Sequence, residues 1–177
     1  MKLKVIILSV AFGCGWATPC FAPAFMKLGD IKGEVIVAGF ADSIAVDSIA
    51  HSVSRPAPQP GSPTGSTKTS VAEFRVTKDY DRSSPKIFEA ACTGRVLPSM
   101  ELQLTKVVGD RRATFLKYEL KNVLVTSYSV SGSGQDGARP TETFSLNFEE
   151  IKVTYTTQDA RGGAEDITAT YNVLRGQ

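Results

Sequence analysis

Along most of the second half of the chain, apolar and polar residues alternate with a period of two. That spacing predicts strands with one buried face rather than helices. The clearest run is Ser99 to Val108, where Met100, Leu102 and Leu104 alternate with Ser99, Glu101, Gln103 and Thr105. Phe74 and Val76 alternate with Glu73, Arg75 and Thr77. Leu116, Tyr118 and Leu120 alternate with Lys117, Glu119 and Lys121 ahead of a continuous apolar run at Val123 to Val125. Between Glu142 and Tyr155 the apolar parity switches from Phe144, Leu146 and Phe148 to Ile151, Val153 and Tyr155. A shift of one residue moves side chains to the opposite face, so the pattern predicts a β-bulge or a bend near Glu149-Glu150. Ile167, Ala169, Tyr171 and Val173 form the last alternating stretch, which is expected to close the sheet.

One segment breaks this pattern. Ser83 to Gly94 carries the signals of a short helix, over about residues 83–93: Ser83 or Ser84 to cap the first amides, Pro85 in the opening turn and Gly94 as the stop. The pairs Ile87 with Ala91 and Phe88 with Cys92 would lie on the side facing the sheet, with Cys92 inward. Two stretches read as loops. The longer, Ser54 to Ser70, holds four prolines, two glycines and many small hydroxyl residues. It cannot bury enough apolar surface to order itself alone. Ser129 to Pro140 reads as a hairpin connection rather than a phosphate loop, since no Gly-Lys-Ser/Thr follows its glycines. Arg111-Arg112 reads as a solvated turn.

With 42% hydrophobic and 21% charged residues over 177 positions, the body should fold as one globular domain. The start of the chain differs from this body. Lys2 and Lys4 precede an apolar run from Val5 to Trp16, and Ala22-Pro23-Ala24 offers small side chains for a peptidase. Residues 1–24 therefore read as a signal-peptide-like leader, cleaved before Phe25, with the domain over 25–177. A lipoprotein reading through Cys14 or Cys20 is weaker, because neither has a leucine three residues upstream. Loss of the leader removes Lys2 and Lys4 from the 20 Lys and Arg, so that 18 cations face 18 acidic residues. A neutral chain without a long basic block argues against a nucleic-acid partner. It also removes Cys14 and Cys20, leaving Cys92 with no internal partner and no thiolate set for zinc. No stable membrane insertion is expected once the leader is gone.

Candidate chemistry is thin. His51 is the only histidine, in a predicted strand Ser48 to Val53 where it shares a face with Ile49 and Val53, and it reads as packed or interfacial. No Gly-x-Ser-x-Gly elbow, His-Glu-x-x-His helix or calcium loop occurs. Glu149-Glu150 could pose as a carboxylate pair, but strand neighbours point to opposite faces unless a bulge intervenes, and the two read as solvent-exposed. No catalytic residue, metal site or cofactor is expected, and the chain reads as a non-enzyme.

Three motifs go further. Met26-Lys27-Leu28-Gly29-Asp30-Ile31-Lys32-Gly33-Glu34 resembles the opening strand of the haemolysin-coregulated protein (Hcp) family of type VI secretion. Phe74 to Pro85, carrying Thr77, Lys78, Asp81, Ser84 and Pro85, is similar to that family's strand leading into its single helix. Glu142 to Tyr155, with Glu142, Leu146, Phe148 and Tyr155, is similar to a later strand. Together the three span residues 25 to about 158 in the family's order.

The resemblance implies a mainly β fold, an Hcp-like β-barrel of two packed antiparallel sheets with one flanking helix. It further implies a homohexameric ring, stacked rings forming a tube, and as partners a spike protein, a sheath and small effector proteins held in the lumen. Ring or stack contacts would then fall to the loop carrying Ser54, Arg55, Pro56, Gly61, Gly65, Lys68 and Ser70. The leader departs from the family. Either it is a true signal peptide, giving a secreted, extracellular protein that crosses the periplasm, or translation starts near Met26 and the protein waits in the cytoplasm before firing. The alternative reading is a secreted monomeric β-sandwich binding module of Hcp descent, outside any contractile machine.

Overall fold

The computed structural model describes residues 23–57, 69–108, 111–132, 137–158 and 163–176. The leader reading falls almost wholly outside them, as do Gly61, Gly65 and Lys68. Among the described residues, eleven strands and one helix follow in order: β1 (Ala24–Leu28), β2 (Ile44–Val46), β3 (Ser48–Ala50), β4 (Val53–Ser54), β5 (Ser70–Val71), β6 (Phe74–Asp79), α1 (Ser84–Thr93), β7 (Leu97–Val108), β8 (Arg111–Ser131), β9 (Thr141–Asn147), β10 (Glu150–Gln158) and β11 (Ala164–Asn172).

Two antiparallel sheets share β8. The larger runs β2, β1, β7, the first half of β8, β10, β11, and the smaller runs the second half of β8, β9, β6, β3. β8 bends between its two roles at Asn122, which adopts φ 51°. The parity switch read in the sequence lies beside this bend. β9 ends at Asn147, β10 starts at Glu150, and the chain passes there from the smaller sheet to the larger. The Glu149 amide donates to the Lys121 carbonyl at 3.0 Å and the Asn122 side-chain amide to the Glu149 carboxylate at 2.6 Å, so both strands turn one corner together.

The facing sides of the sheets bury Met26, Leu28, Ile44, Met100, Leu102 and Leu120 against Phe74, Val76, Val125, Phe144 and Leu146. Burial of such side chains, each worth about 1.5–3 kcal/mol relative to exposure, is the main force joining the layers. The expected two packed sheets with one flanking helix are present, although the pair stays open rather than closing into a barrel. β11 pairs only with β10 among the described residues and is exposed along most of its length, so it ends the larger sheet instead of closing it.

Helix α1 starts after Ser83 and stops at Gly94, whose φ of 64° suits a residue without a side chain. Its inward face differs from expectation. Ile87 and Ala90 enter the core, while Phe88 is 54% exposed and Cys92 faces outward. A ten-residue helix offers two neighbouring i, i+4 stripes, and the one chosen is set by docking. Arg111 and Arg112 also depart from expectation: they open β8 instead of marking a turn, and the Arg112 guanidinium lies 5.5 Å from the Phe25 ring centroid. His51 lies just past β3 rather than within a strand, and Val53 points to solvent.

Candidate assembly surfaces and the buried knot that frames them

Strands β6 and β9 pair in the register Phe74 with Leu146, Val76 with Phe144, and Lys78 with Glu142. All six side chains point inward, so the alternation that builds the core also carries a lysine and a glutamate into it, both 0% exposed. The Lys78 ammonium directs its three protons to the Asp81 carboxylate (2.8 Å), the Asp79 carbonyl (2.8 Å) and the Ser84 hydroxyl (3.3 Å). Glu142 Oε1 therefore stands 2.9 Å from Nζ as an ionic contact without a hydrogen bond of its own. Glu142 Oε2 accepts the Tyr128 hydroxyl proton at 2.6 Å.

Asp81 completes the knot. It accepts from the Ser83 amide at 2.8 Å and from the Ser83 hydroxyl, while its own amide donates to Ser84 Oγ at 2.9 Å. The two serines expected to cap α1 are thus drawn into the knot, and Ser83 makes no side-chain cap bond. Burial pushes the Asp81 carboxyl up, but Lys78 and Ser83 outweigh it and hold the group below its ordinary range. The Tyr128 hydroxyl is pushed well above its usual value by burial and then by its bond to the Glu142 carboxylate. Each charged group here is consumed by its neighbours, which suits a structural clamp between α1, β6, β8 and β9 rather than chemistry on a substrate.

The first motif meets the second at the surface. Gly33 has no room for a side chain, since a Cβ would lie 2.1 Å from the Ser43 carbonyl oxygen. Lys32 pairs with Asp42 at 3.0 Å, and Asp42 also receives Arg82 at 3.3 Å. Glu34 accepts from the Arg82 amide at 3.1 Å and lies 3.4 Å from Arg139. Lys27 is exposed opposite Glu101, Thr77 meets Thr143 across the strands at 3.1 Å, and Pro85 sits in the first turn of α1. Leu146 and Phe148 are core residues, whereas Tyr155 stands 48% exposed on β10. The motif residues are therefore chiefly scaffold.

Ser54 and Ser70, the ends of the long loop, pair in the short β4–β5 ribbon, and Arg55 and Pro56 continue exposed beyond it. At its root the His51 ring packs 5.7 Å from Phe74 and 5.9 Å from Phe148. Burial lowers its pKa and favours the neutral ring, and its Nε2 is enclosed without a hydrogen-bond partner. This is the packed histidine expected. Among the described residues, no three His, Cys, Asp or Glu side chains are grouped to hold a metal, and no helix is long and apolar enough to cross a membrane.

The outer face of the larger sheet holds a feature the sequence reading missed. Lys117 lies 3.0 Å from Glu101 and 3.2 Å from Glu119, and Glu119 reaches Lys152 at 3.0 Å, forming a row of alternating charge across β7, β8 and β10. Burial raises Glu119, but Lys152 and Lys117 prevail and lower it; burial likewise lowers Lys117, but Glu101 and Glu119 prevail and raise it. The signal was the polar half of the same alternation, Glu101, Gln103, Lys117, Glu119 and Lys121. Strand pairing alone gives it meaning, by setting Glu101 opposite Glu119 and Glu119 opposite Lys152.

Residues 25–155 match the family model described as type VI secretion system effector, Hcp. The protein Hcp1 of Pseudomonas aeruginosa is 34% identical over 144 residues, which cover 80% of this chain and 87% of that protein. A solved type six secretion system protein superposes with a TM-score of 0.79 at 28% identity, covering 88% of this chain and 98% of the other. Hcp1 from Salmonella typhimurium does so with 0.71 at 27% identity, covering 88% and 97%. These likenesses join the three motifs, the two packed sheets and the single helix in one assignment: the chain belongs to the Hcp family of type VI secretion, a family of secreted structural proteins rather than enzymes.

Proposed function

We propose that this protein is a tube subunit: six copies close into a ring, rings stack into a tube, and the lumen carries small effector proteins. The observation that best supports this is the open larger sheet. Among the described residues it ends on β2 at one side and on β11 at the other, and β11 pairs on one side only, with seven of its nine residues exposed. Such an edge invites pairing with another chain, and a closed ring requires one edge of a protomer to meet a different edge of the next. In this reading the loop from Ser54 to Ser70 orders against a neighbouring copy, and spike, sheath and effector are the further partners. The leader, residues 1–24, is a signal peptide, the remaining 25–177 form the assembling domain, and the protein ends outside the cell.

Size-exclusion chromatography with light scattering and negative-stain electron microscopy of the purified protein test the assembly. Rings of six support it, and a stable monomer at high concentration would favour the secreted binding module instead. Removing the loop between Ser54 and Ser70 should preserve the far-UV spectrum and weaken ring or stack formation. Intact mass spectrometry of the native N-terminus tests the leader.

A further inference from the structure

Strand β11 spends half of its backbone groups on β10. The Val173 amide donates to the Glu149 carbonyl at 2.8 Å, and the register continues from there without a break, so the odd-numbered residues turn their amides and carbonyls toward β10. In an antiparallel ladder successive residues bond to opposite sides. Ala164, Asp166, Thr168, Thr170 and Asn172 therefore direct theirs to the free edge, where no described strand receives them. Edges of native sheets are commonly blunted by charge, proline or a bulge. Here charge is confined to one end, at Glu165 and Asp166, and the rest is the uncharged run Ile167-Thr168-Ala169-Thr170-Tyr171, whose β-branched and aromatic residues suit pairing.

This edge is self-complementary. A two-fold axis at Thr168 sets the strand antiparallel to β11 of a second copy, with Thr168 opposite Thr168, Asp166 opposite Thr170 and Ala164 opposite Asn172. All nine residues are then paired, each free amide and carbonyl meets a counterpart, and no like charges stand opposite. An axis at Ile167 or Ala169 would leave two residues unpaired. The side-chain rows agree. Thr154 already stands beside Thr168, with hydroxyls 3.2 Å apart, and Tyr155 beside Ile167, both half-exposed. The second copy extends the first row with its own Thr168 and Thr154, and the second with its Ala169 and Val153. Charge sets the direction. Asp166 accepts from the Thr156 hydroxyl at 2.6 Å and makes no ion pair among the described residues. Antiparallel pairing places it beside Thr170 of the second copy, with that copy's Lys152 in the next strand, about 10 Å away between Cα atoms and within a lysine's reach. Parallel pairing in register would set Glu165 and Asp166 against themselves. The other sheet ends, β2 and β3, are three residues long, so among the described strands at the sheet ends β11 itself is the one that matches this edge in length.

We infer that β11 pairs antiparallel with β11 of a second copy about a two-fold axis at Thr168, forming a dimer. A ring joined head-to-tail through this edge and the two-fold dimer exclude each other, so the dimer holds subunits out of the ring. That competition rests on the ring reading above, whereas the strand pairing does not. With Cys14, Cys20 and Cys92 changed to serine, Thr168→Cys should give a disulfide-linked dimer on non-reducing gels, because opposed residues of such a pair have Cα atoms about 5.5 Å apart. Thr170→Cys, exposed on the same face, should not cross-link alone but should link to Asp166→Cys when the two proteins are mixed. Thr168→Pro removes an amide that β10 does not use, so it should keep the far-UV spectrum and melting temperature while raising the dimer dissociation constant about tenfold or more. Oxidised Thr168→Cys protein should form no rings until reductant is added, and rings formed without it would overturn the competition. Wild-type rings with no cross-link specific to Thr168 would overturn the dimer and leave the ring reading standing. A protein that stays monomeric at high concentration, without the cross-link, would overturn both.

Discussion

The Lys78 knot and the Lys117 row are built from the same groups at similar distances, and burial makes them different objects. In the knot, Lys78 and Glu142 are wholly enclosed, 2.9 Å apart, with Asp81 and Tyr128 filling the remaining contacts. In the row, side chains 31–44% exposed keep water on one side. Removing one partner of a buried pair strands a charge in a medium that cannot solvate it, whereas a half-exposed pair falls back on water and salt. The knot therefore commits α1 to one position against β6 and β9, and the row tunes the charge of a face at small cost.

The sharpest break is Lys78→Met. It leaves Glu142 and Asp81 buried without their cation and should cost about 3–5 kcal/mol in urea unfolding. Adding Glu142→Leu should recover part of that loss, because an apolar pair of similar volume removes a stranded charge. No recovery would mean that the knot contributes more than charge balance.

Titration separates the knot from His51. Both groups have folded pKa values below their ordinary ones, so each contributes stability above the ordinary value that is lost as pH falls through the folded value. The His51 contribution should decline as pH drops below 6.5, and that of Asp81 only below 3.8. Thermal melts should show two separate declines, with His51→Phe flattening the first and Asp81→Asn the second.

A smaller effect is expected from the row. Lys117→Ala should cost under about 1 kcal/mol and shrink further in high salt, as exposed pairs do. A larger loss that resists salt would place the row with the buried networks. Cys92→Ser, on the outward side of α1, should change stability by less than about 0.5 kcal/mol.

Part of the knot was legible in the sequence. Lys78 shares parity with Phe74 and Val76, and Glu142 with Phe144 and Leu146, so alternation by itself places a lysine and a glutamate on buried faces. Their meeting was not legible, because the two lie 64 positions apart and only the β6–β9 register sets them opposite. The parity break at Glu149-Glu150 was visible as a bend, while its role as a passage between sheets needed β8 and its turn at Asn122. The faces of α1 were misread because Phe88 and Cys92 satisfy the same spacing as Ile87 and Ala91. The turn between Gly33 and Ser43 left no periodic signal, because backbone bonds from the Gly33 and Val35 amides to the Asp42 and Ser43 carbonyls hold it.

The sequence by itself determined the long alternating strands, the start and stop of α1, and the family through its three motifs, because each depends on residues close along the chain. Tertiary structure alone decided which face of α1 is buried, that the sheets remain open at β2 and β11, and that a lysine from one motif closes on a glutamate from another. Those outcomes depend on which strands lie beside one another, and period-two alternation gives a strand's inward face without naming its neighbour.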